Sequence, residues 1–337
     1  MSSSIVYENI FEAIRAISPN HVVLNKEGIT GGMVRHQHFT CLDMGDGRVG
    51  AFPLELSSVY YRGESGLYDT CYSNLQRISD EGERIIWKLK TWDFISLLKR
   101  NPRIQMGMAQ NEYIEFQALA QHYGFPTNML DLTNDLVVAA YFATHEIDAV
   151  TGELRITTEG IGRIRYSCEF FVPQGRLVPV GLQPLARPGQ QSAFGIFLGE
   201  KEDYAASSAS VQFKQSPQEN QKLHQSVLGG PQLFFPNEAV TGLADRIKTA
   251  NVVTREAVEA YCAEAVVSGG PEPDCEDAKR LCAKNKREVT RLEEFLKKKG
   301  IYIVDAPVAS WLMLRDLPNS LPSVARRPTV RAGMIVG

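Results

Sequence analysis

Apolar residues recur at helical spacing in some stretches and alternate in others, and these two periods divide the chain. At the start, Ile5, Ile10, Phe11, Ile14 and Ile17 fall near a 3.6-residue period with Glu8, Glu12 and Arg15 between them, which predicts an amphipathic helix. From His21 to Tyr61 short apolar runs are separated by the Gly-rich turns GITGG and GDG, a strand-like pattern. Between Asp80 and Tyr123 the helical period returns, carried by Ile85, Ile86, Leu89, Trp92, Ile95 and Leu98. Pro102 breaks it, and a second helix within NEYIEFQALAQHYG stops at Gly124 and Pro126.

The next segment, NMLDLT, reads as a short strand leading into a helix from Asn134 to about Ile147, with Asp131 or Thr133 as its cap. Glu153–Phe171 and Phe194–Leu198 read as strands, and the polar stretch Glu200–Gly230 as a loop or a hairpin with a mobile tip. Helices are expected over Val240–Thr249, Arg255–Val266 (capped by Thr254) and Glu276–Lys299. SGGPEPD, Ser268–Asp274, is a linker, KKKG is a helix C-terminus, and the tail from Pro318 is loosely ordered. The order of elements predicts an α+β fold: a mixed or antiparallel sheet core flanked by helices, with a mainly helical C-terminal portion. The expected division is an N-terminal helix and strands (1–54) packing on a core domain (55–236), followed by a helical extension (237–337).

Composition changes this picture little. The 337 residues are 44% hydrophobic and 22% charged, enough for a core. Lys plus Arg total 36 against 39 Asp plus Glu, and a formal charge of -3 gives no global attraction to nucleic acid or an anionic membrane. No run of about 18 apolar residues exists, so no membrane span is expected, and the N-terminus lacks the pattern of a secretory leader. Six cysteines without a CxxC pair fit a reducing cytoplasm better than a disulfide scaffold, and no His or Cys spacing suits a metal.

Three segments carry candidate chemistry. In Tyr61-Arg62-Gly63-Glu64 an arginine at a strand end offers a planar fork of donors to a phosphate or carboxylate, and Gly63 lets a ligand or another backbone come close. The same residues also suit an Arg62–Glu64 surface ion pair and an ordinary turn. In Gln121–Ala143, the side chains of Gln121, His122, Tyr123, Thr127, Asp131 and Thr133 sit beside an apolar run. Polar groups at the edge of a core are costly unless satisfied or used, so this is a structural knot or a ligand site. In ARPGQQSAFGIF, Gln190 and Gln191 precede an aromatic strand and suit either an oriented ligand or a strand edge.

Taken in order, these segments resemble the FRG domain family, named for a Phe-Arg-Gly motif that here reads Tyr61-Arg62-Gly63. The family pattern QHYG-x-PTR-LLDWT followed by an apolar helix is similar to Gln121–Ala143. The third block resembles Arg187, Gln190 or Gln191, and Phe194, and a late Phe-Pro-Asp block resembles Phe235–Asn237. Asn128 stands where the family has Arg, Leu132 where it has Trp, and Ser192 or Ala193 where it has Gly. A second resemblance is to the ADP-ribosyltransferase arrangement, which implies NAD as substrate, no metal, and transfer of ADP-ribose to a protein or nucleic-acid acceptor. It would place Arg62 on the NAD phosphates or ribose, Thr133 on the nicotinamide side, and Gln190 or Gln191 at the catalytic Glu position. Tyr61, Gly63, Glu64, Gln121, His122, Tyr123, Thr127 and Asp131 would line the ligand. Glutamine has no titratable group, so turnover would draw a carboxylate from Glu64, Glu115 or Asp131. The alternative is a non-catalytic nucleotide-sensing or interaction module. The expected setting is cytoplasmic, with a role as a toxin or in phage conflict, and Arg62, Tyr123, Thr133 and Gln190 should converge on one cleft.

Overall fold

The computed structural model describes residues 5–17, 24–25, 28–29, 39–43, 48–53, 59–147, 154–168, 177–181, 183–227, 234–236, 238–267, 288–305 and 307. Among them the fold is α+β, built on a seven-stranded sheet that is antiparallel except at one edge. Its strands are β1 (Val6–Tyr7), β6 (Val59–Glu64), β7 (Met129–Thr133), β10 (Ile161–Cys168), β11 (Leu177–Pro179), β12 (Ala193–Phe197) and β13 (Ala209–Lys214). They lie in the order β1-β13-β10-β6-β7-β12-β11, with β1 parallel to β13. Four short strands, β2 (Leu24–Asn25) paired with β3 (Gly28–Ile29) and β4 (Phe39–Asp43) paired with β5 (Val49–Pro53), lie within the β-like N-terminal region. Two more, β8 (His145–Ile147) with β9 (Leu154–Ile156), follow α5 (Leu136–Ala143).

The sheet is two half-sheets. β6 and β10 pair over six residues and β7 and β12 over five, but β6 and β7 meet in register only at Tyr61–Thr133. One face of the first half is covered by α1 (Ile10–Ile17), α5 and α7 (Pro217–Ser226), around Tyr61, Ile164, Phe213 and Phe234. Helix α5 is apolar all round, as a buried helix must be, and seven of its eight residues are buried. Its approach to β6 is set by Gly63. A Cβ there would fall inside the carbonyl oxygen of Ala139 and 2.6 Å from the nitrogen of Ala143, both backbone atoms of α5.

A second core joins α2 (Glu81–Lys99), α4 (Phe116–His122) and α8 (Ala239–Thr249) around Phe94, Phe125 and Ile247. A third joins α2 to α9 (Arg255–Val267), the helical residues 288–298 and the parallel pair β14 (Val252–Thr254) and β15 (Tyr302–Val304). The buried carboxylate Asp93 fastens that junction: it accepts the Thr254 hydroxyl at 2.5 Å and the Thr254 N–H, and Thr254 in turn caps α9 at the Ala257 N–H.

The predicted helix–break–helix from Asp80 to Tyr123 is present as α2, α3 (Pro102–Ala109) and α4, with Asn101 and Pro102 making the break. The N-terminal amphipathic segment is shorter than expected, because Val6–Tyr7 pairs with β13 before α1 starts. Helix α5 is also shorter than the expected span from Asn134 to Ile147. It is capped by Asp135, whose carboxylate accepts the Val137 N–H at 2.7 Å, and neither Asp131 nor Thr133 caps it. Its C-terminal residues 145–147 leave the helix and pair with β9. The largest correction concerns Glu200–Gly230, which holds β13 and α7 where a loop or hairpin was expected. Val211 and Phe213 alternate inward on β13, and Ser216, Pro217 and Glu219 form a helix start whose N-cap accepts the Glu219 N–H. The linker Ser268–Asp274, residues 276–287 and the tail from Pro318 lie outside the described residues.

Gly63→Ala is expected to destabilise the fold by at least about 3 kcal/mol, since two backbones must separate. Gly242→Ala, on the exposed side of α8 with nothing within 4 Å of the added carbon, is expected to stabilise by about 0.5–1 kcal/mol. Denaturant midpoints of the two variants read this contrast.

His145 yields a pH prediction. Its ring is buried and stacked on Tyr141 at 3.9 Å, with Nδ1 2.8 Å from the Tyr141 carbonyl and Nε2 2.9 Å from His224 Nδ1. Burial, joined by His224, pushes its pKa down to about 4. The unfolded chain therefore binds the proton more readily, so stability from this residue is full above the unfolded value of 6.5 and falls as pH drops toward 4. Asp93, pushed up to about 7 by burial, acts in the opposite sense over the same range and masks the slope in the wild type. His145→Gln is thus expected to gain about 2 kcal/mol relative to wild type on going from about pH 7.5 to about pH 5, measured by urea unfolding.

Candidate functional site

Strand alternation gives β6 two different faces. Tyr61 and Gly63 look toward α5, together with their partners Tyr166 and Ile164. Tyr60, Arg62 and Glu64 look the other way, together with Ser167, Arg165 and Arg163. On β7 the same rule sends Leu130 and Leu132 to the Arg62 face, where they pack with Tyr60, Phe194 and Tyr204. Asp131 and Thr133 go to the opposite face, toward α4.

The Arg62 face gathers guanidinium groups. Arg62 and Arg165 stand opposite each other in register, as do Glu64 and Arg163. Glu64 is 4% exposed, and both of its oxygens accept from Arg165 Nε, at 3.1 and 3.0 Å. Arg163 Nη1 lies 3.5 Å from the same carboxylate and donates to the Tyr68 carbonyl at 3.0 Å. Arg77, exposed at the rim, donates Nε to the Tyr72 carbonyl and lies within reach of the charge of Arg62. Two of these cations, Arg163 and Arg165, thus share one buried carboxylate, with Arg62 on the same face, Arg77 at its rim, and Asp69 and Asp203 also near this face. The Nε–H groups of Arg62 and Arg163 are buried and meet no acceptor among the described residues. Burial, then the like charge of Arg165, lowers the pKa of Arg163, though a guanidinium stays protonated near neutrality. Cys71 lies in the same group with its thiol pushed up to about 11 by burial, so it is no nucleophile at neutral pH.

Arg62 also has a structural duty. Next to the one register pair between β6 and β7, Arg62 Nη1 donates to the Asp131 carbonyl at 3.0 Å. The guanidinium bridges the two half-sheets through Nη1, while its Nε–H is buried without an acceptor among the described residues.

The opposite face carries a polar knot centred on α4 and the short helix α6 (Ala186–Gln190). Thr133 Oγ1 donates to the Gln191 carbonyl at 2.8 Å and accepts the Asp135 N–H at 3.1 Å. Gln191 Nε2 donates to the Phe234 carbonyl at 2.8 Å, and its side chain hydrogen-bonds His122. Arg187 donates to the His122 carbonyl at 2.8 Å and to Thr241 Oγ1 at 3.1 Å, and its guanidinium lies 4.6 Å from the Tyr123 ring centre. Tyr123 donates its hydroxyl to Glu238, and burial followed by that carboxylate raises its pKa. Thr127 donates to Gln121 and accepts the Met129 N–H at 3.1 Å. Burial lowers the pKa of His122, and its Nε2 and Asp131 Oδ1 are buried without a partner among the described residues.

Of the residues singled out from the sequence, the fold brings Thr133, Gln191, His122 and Tyr123 into this knot, with Gln121 and Thr127 beside it. Gln190 is half-buried at the end of α6. Arg62 and Glu64 stand on the other face, and Tyr61 is a core residue under α5. The residues expected in one cleft are therefore divided by the sheet, with Arg62 touching the middle segment only through the Asp131 backbone. Glu115 caps α4. Arg163 and Arg165 were missed, although two arginines at alternate positions in IGRIRYSC mark a charged face on a buried strand. Glu238 carried no local signal, because its partner Tyr123 is 115 residues away.

Among the described residues no three His, Cys, Asp or Glu side chains gather to hold a metal, and no helix is long and apolar enough to cross a membrane. Comparison with curated proteins and with solved structures returns no match. Residues 57–151, which run from β6 through α5 and contain both the Arg62 seam and the α4–β7 knot, match the family model of the FRG domain, and the chain carries a domain of that family.

Proposed function

We propose that this FRG domain binds NAD or a related nucleotide by its phosphates at the arginine face of β6 and β10, without turning it over. The observation that carries the reading is the buried Glu64 carboxylate held by Arg165 and Arg163, with Arg62 on the same face and Arg77 within electrostatic reach, while the Nε–H groups of Arg62 and Arg163 meet no acceptor among the described residues. Buried donors of this kind are costly unless an acceptor reaches them, and a phosphate supplies acceptor oxygens and the missing negative charge. A cytoplasmic setting goes with this reading, as does a sensing role in phage conflict.

Transfer of ADP-ribose to a macromolecule is the second reading. One observation favours it: Glu64 lies two positions from Arg62 on the same face, so a carboxylate stands beside the anion-holding arginine. The ground for ranking it second is that Glu64 is held by Arg165, while Thr133 and Gln191 are hydrogen-bonded within the knot on the far face.

Calorimetric titration with NAD and with ADP-ribose is expected to show saturable binding, weakened about ten-fold or more by Arg77→Ala, the rim arginine whose loss leaves the β6–β7 seam intact. Arg62→Ala should weaken it at least as much and also lower the unfolding midpoint. Failure of folded wild-type protein to bind either compound would discard the reading. Nicotinamide release from NAD should stay at background; release that Glu64→Gln abolishes would put the transferase reading first.

A further inference from the structure

The loop that follows β6 carries an exposed aromatic beside the arginine face. Tyr68 is 48% exposed and its neighbour Leu67 46%, whereas the other rings on this face, Tyr60, Phe194 and Tyr204, are buried. The Tyr68 ring lies against Gly66: a Cβ at that glycine would sit 3.6 Å from the ring ζ carbon and from the hydroxyl. The hydroxyl end of the ring thus rests near the Gly66 main chain while much of the side chain is open to solvent. The loop is tied to the arginines, since Arg163 donates to the Tyr68 carbonyl at 3.0 Å while leaning on Glu64. Arg77 lies within electrostatic reach of both Tyr68 and Arg62.

We infer that Tyr68 is the platform on which the base of the bound nucleotide stacks, so that one ligand spans the aromatic ring and the guanidinium cluster. This rests on the phosphate-binding reading above and extends it from an anion to a nucleotide. Cations alone would accept inorganic phosphate as readily as a nucleotide; an exposed ring with its backbone held by one of those cations adds the second contact a nucleotide needs. Stacking does not distinguish one base from another, because every base has a π face. The ligand is a free nucleotide and not single-stranded nucleic acid. A strand-binding groove needs successive stacking rings, and among the described residues this face exposes Tyr68, half-buries Tyr72 and buries Tyr60, Phe194 and Tyr204.

The test measures dissociation constants for NAD, ADP and inorganic pyrophosphate with wild type, Tyr68→Ala, Tyr68→Phe and Arg77→Ala. Tyr68→Ala is expected to weaken NAD and ADP by about ten-fold or more while leaving pyrophosphate unchanged. Tyr68→Phe should retain wild-type affinity, and Arg77→Ala should weaken all three. If Tyr68→Ala binds ADP as the wild type does while Arg77→Ala loses it, the stacking platform is wrong and the phosphate site stands. If the wild type binds neither pyrophosphate nor nucleotide, both fall. A short single-stranded oligonucleotide that binds more tightly than NAD, in a Tyr68-dependent way, would also overturn the choice of a free nucleotide.

Discussion

The pairing of Tyr61 with Thr133 is the constraint on which the rest of the molecule turns. It is the single register contact between two half-sheets that are otherwise well paired within themselves. Beyond that point no further register pair joins the two strands. Backbone carbonyls at such an edge need donors, and the side chain of Arg62 supplies one to the Asp131 carbonyl. Because the same guanidinium stands opposite Arg165 and within electrostatic reach of Arg77, the bridge between the half-sheets also concentrates positive charge on one face. Architecture and candidate site thus share a cause.

Gly63 acts at the same place from the other side. It allows α5 to lie directly on β6, so a helix that is apolar on every side closes the face opposite the arginines. With that face sealed, the chemistry of β6 can be presented in one direction only. The three residues of the Tyr-Arg-Gly motif therefore have separate physical roles: Tyr61 fills the core, Arg62 closes the seam, and Gly63 sets the helix–strand distance.

The polar knot around α4 is built on a different logic. Thr133, Gln191, Arg187, Tyr123 and Glu238 satisfy one another across long sequence separations and fasten α6 and α8 to the first half of the domain. Such a network stabilises when its members are matched and penalises any change that leaves one group unpaired. Its density of polar side chains, which in the sequence suggested a ligand site, is in large part what holds these helices together.

The sequence by itself determined the α+β class, the position of most helices and strands, and the family of residues 57–151. These depend on period, caps and short motifs, all of which are local. It also carried the Thr254 cap and the break at Asn101–Pro102. It could not determine β13 and α7, whose stretch is polar and whose strand pairs with β10 and β1 far away in the chain. Nor could it decide which side of the sheet each candidate residue would occupy. That choice follows from strand register, and register is set by which strands meet, so only the tertiary structure separated Arg62 from Thr133 and joined it to Arg163 and Arg165.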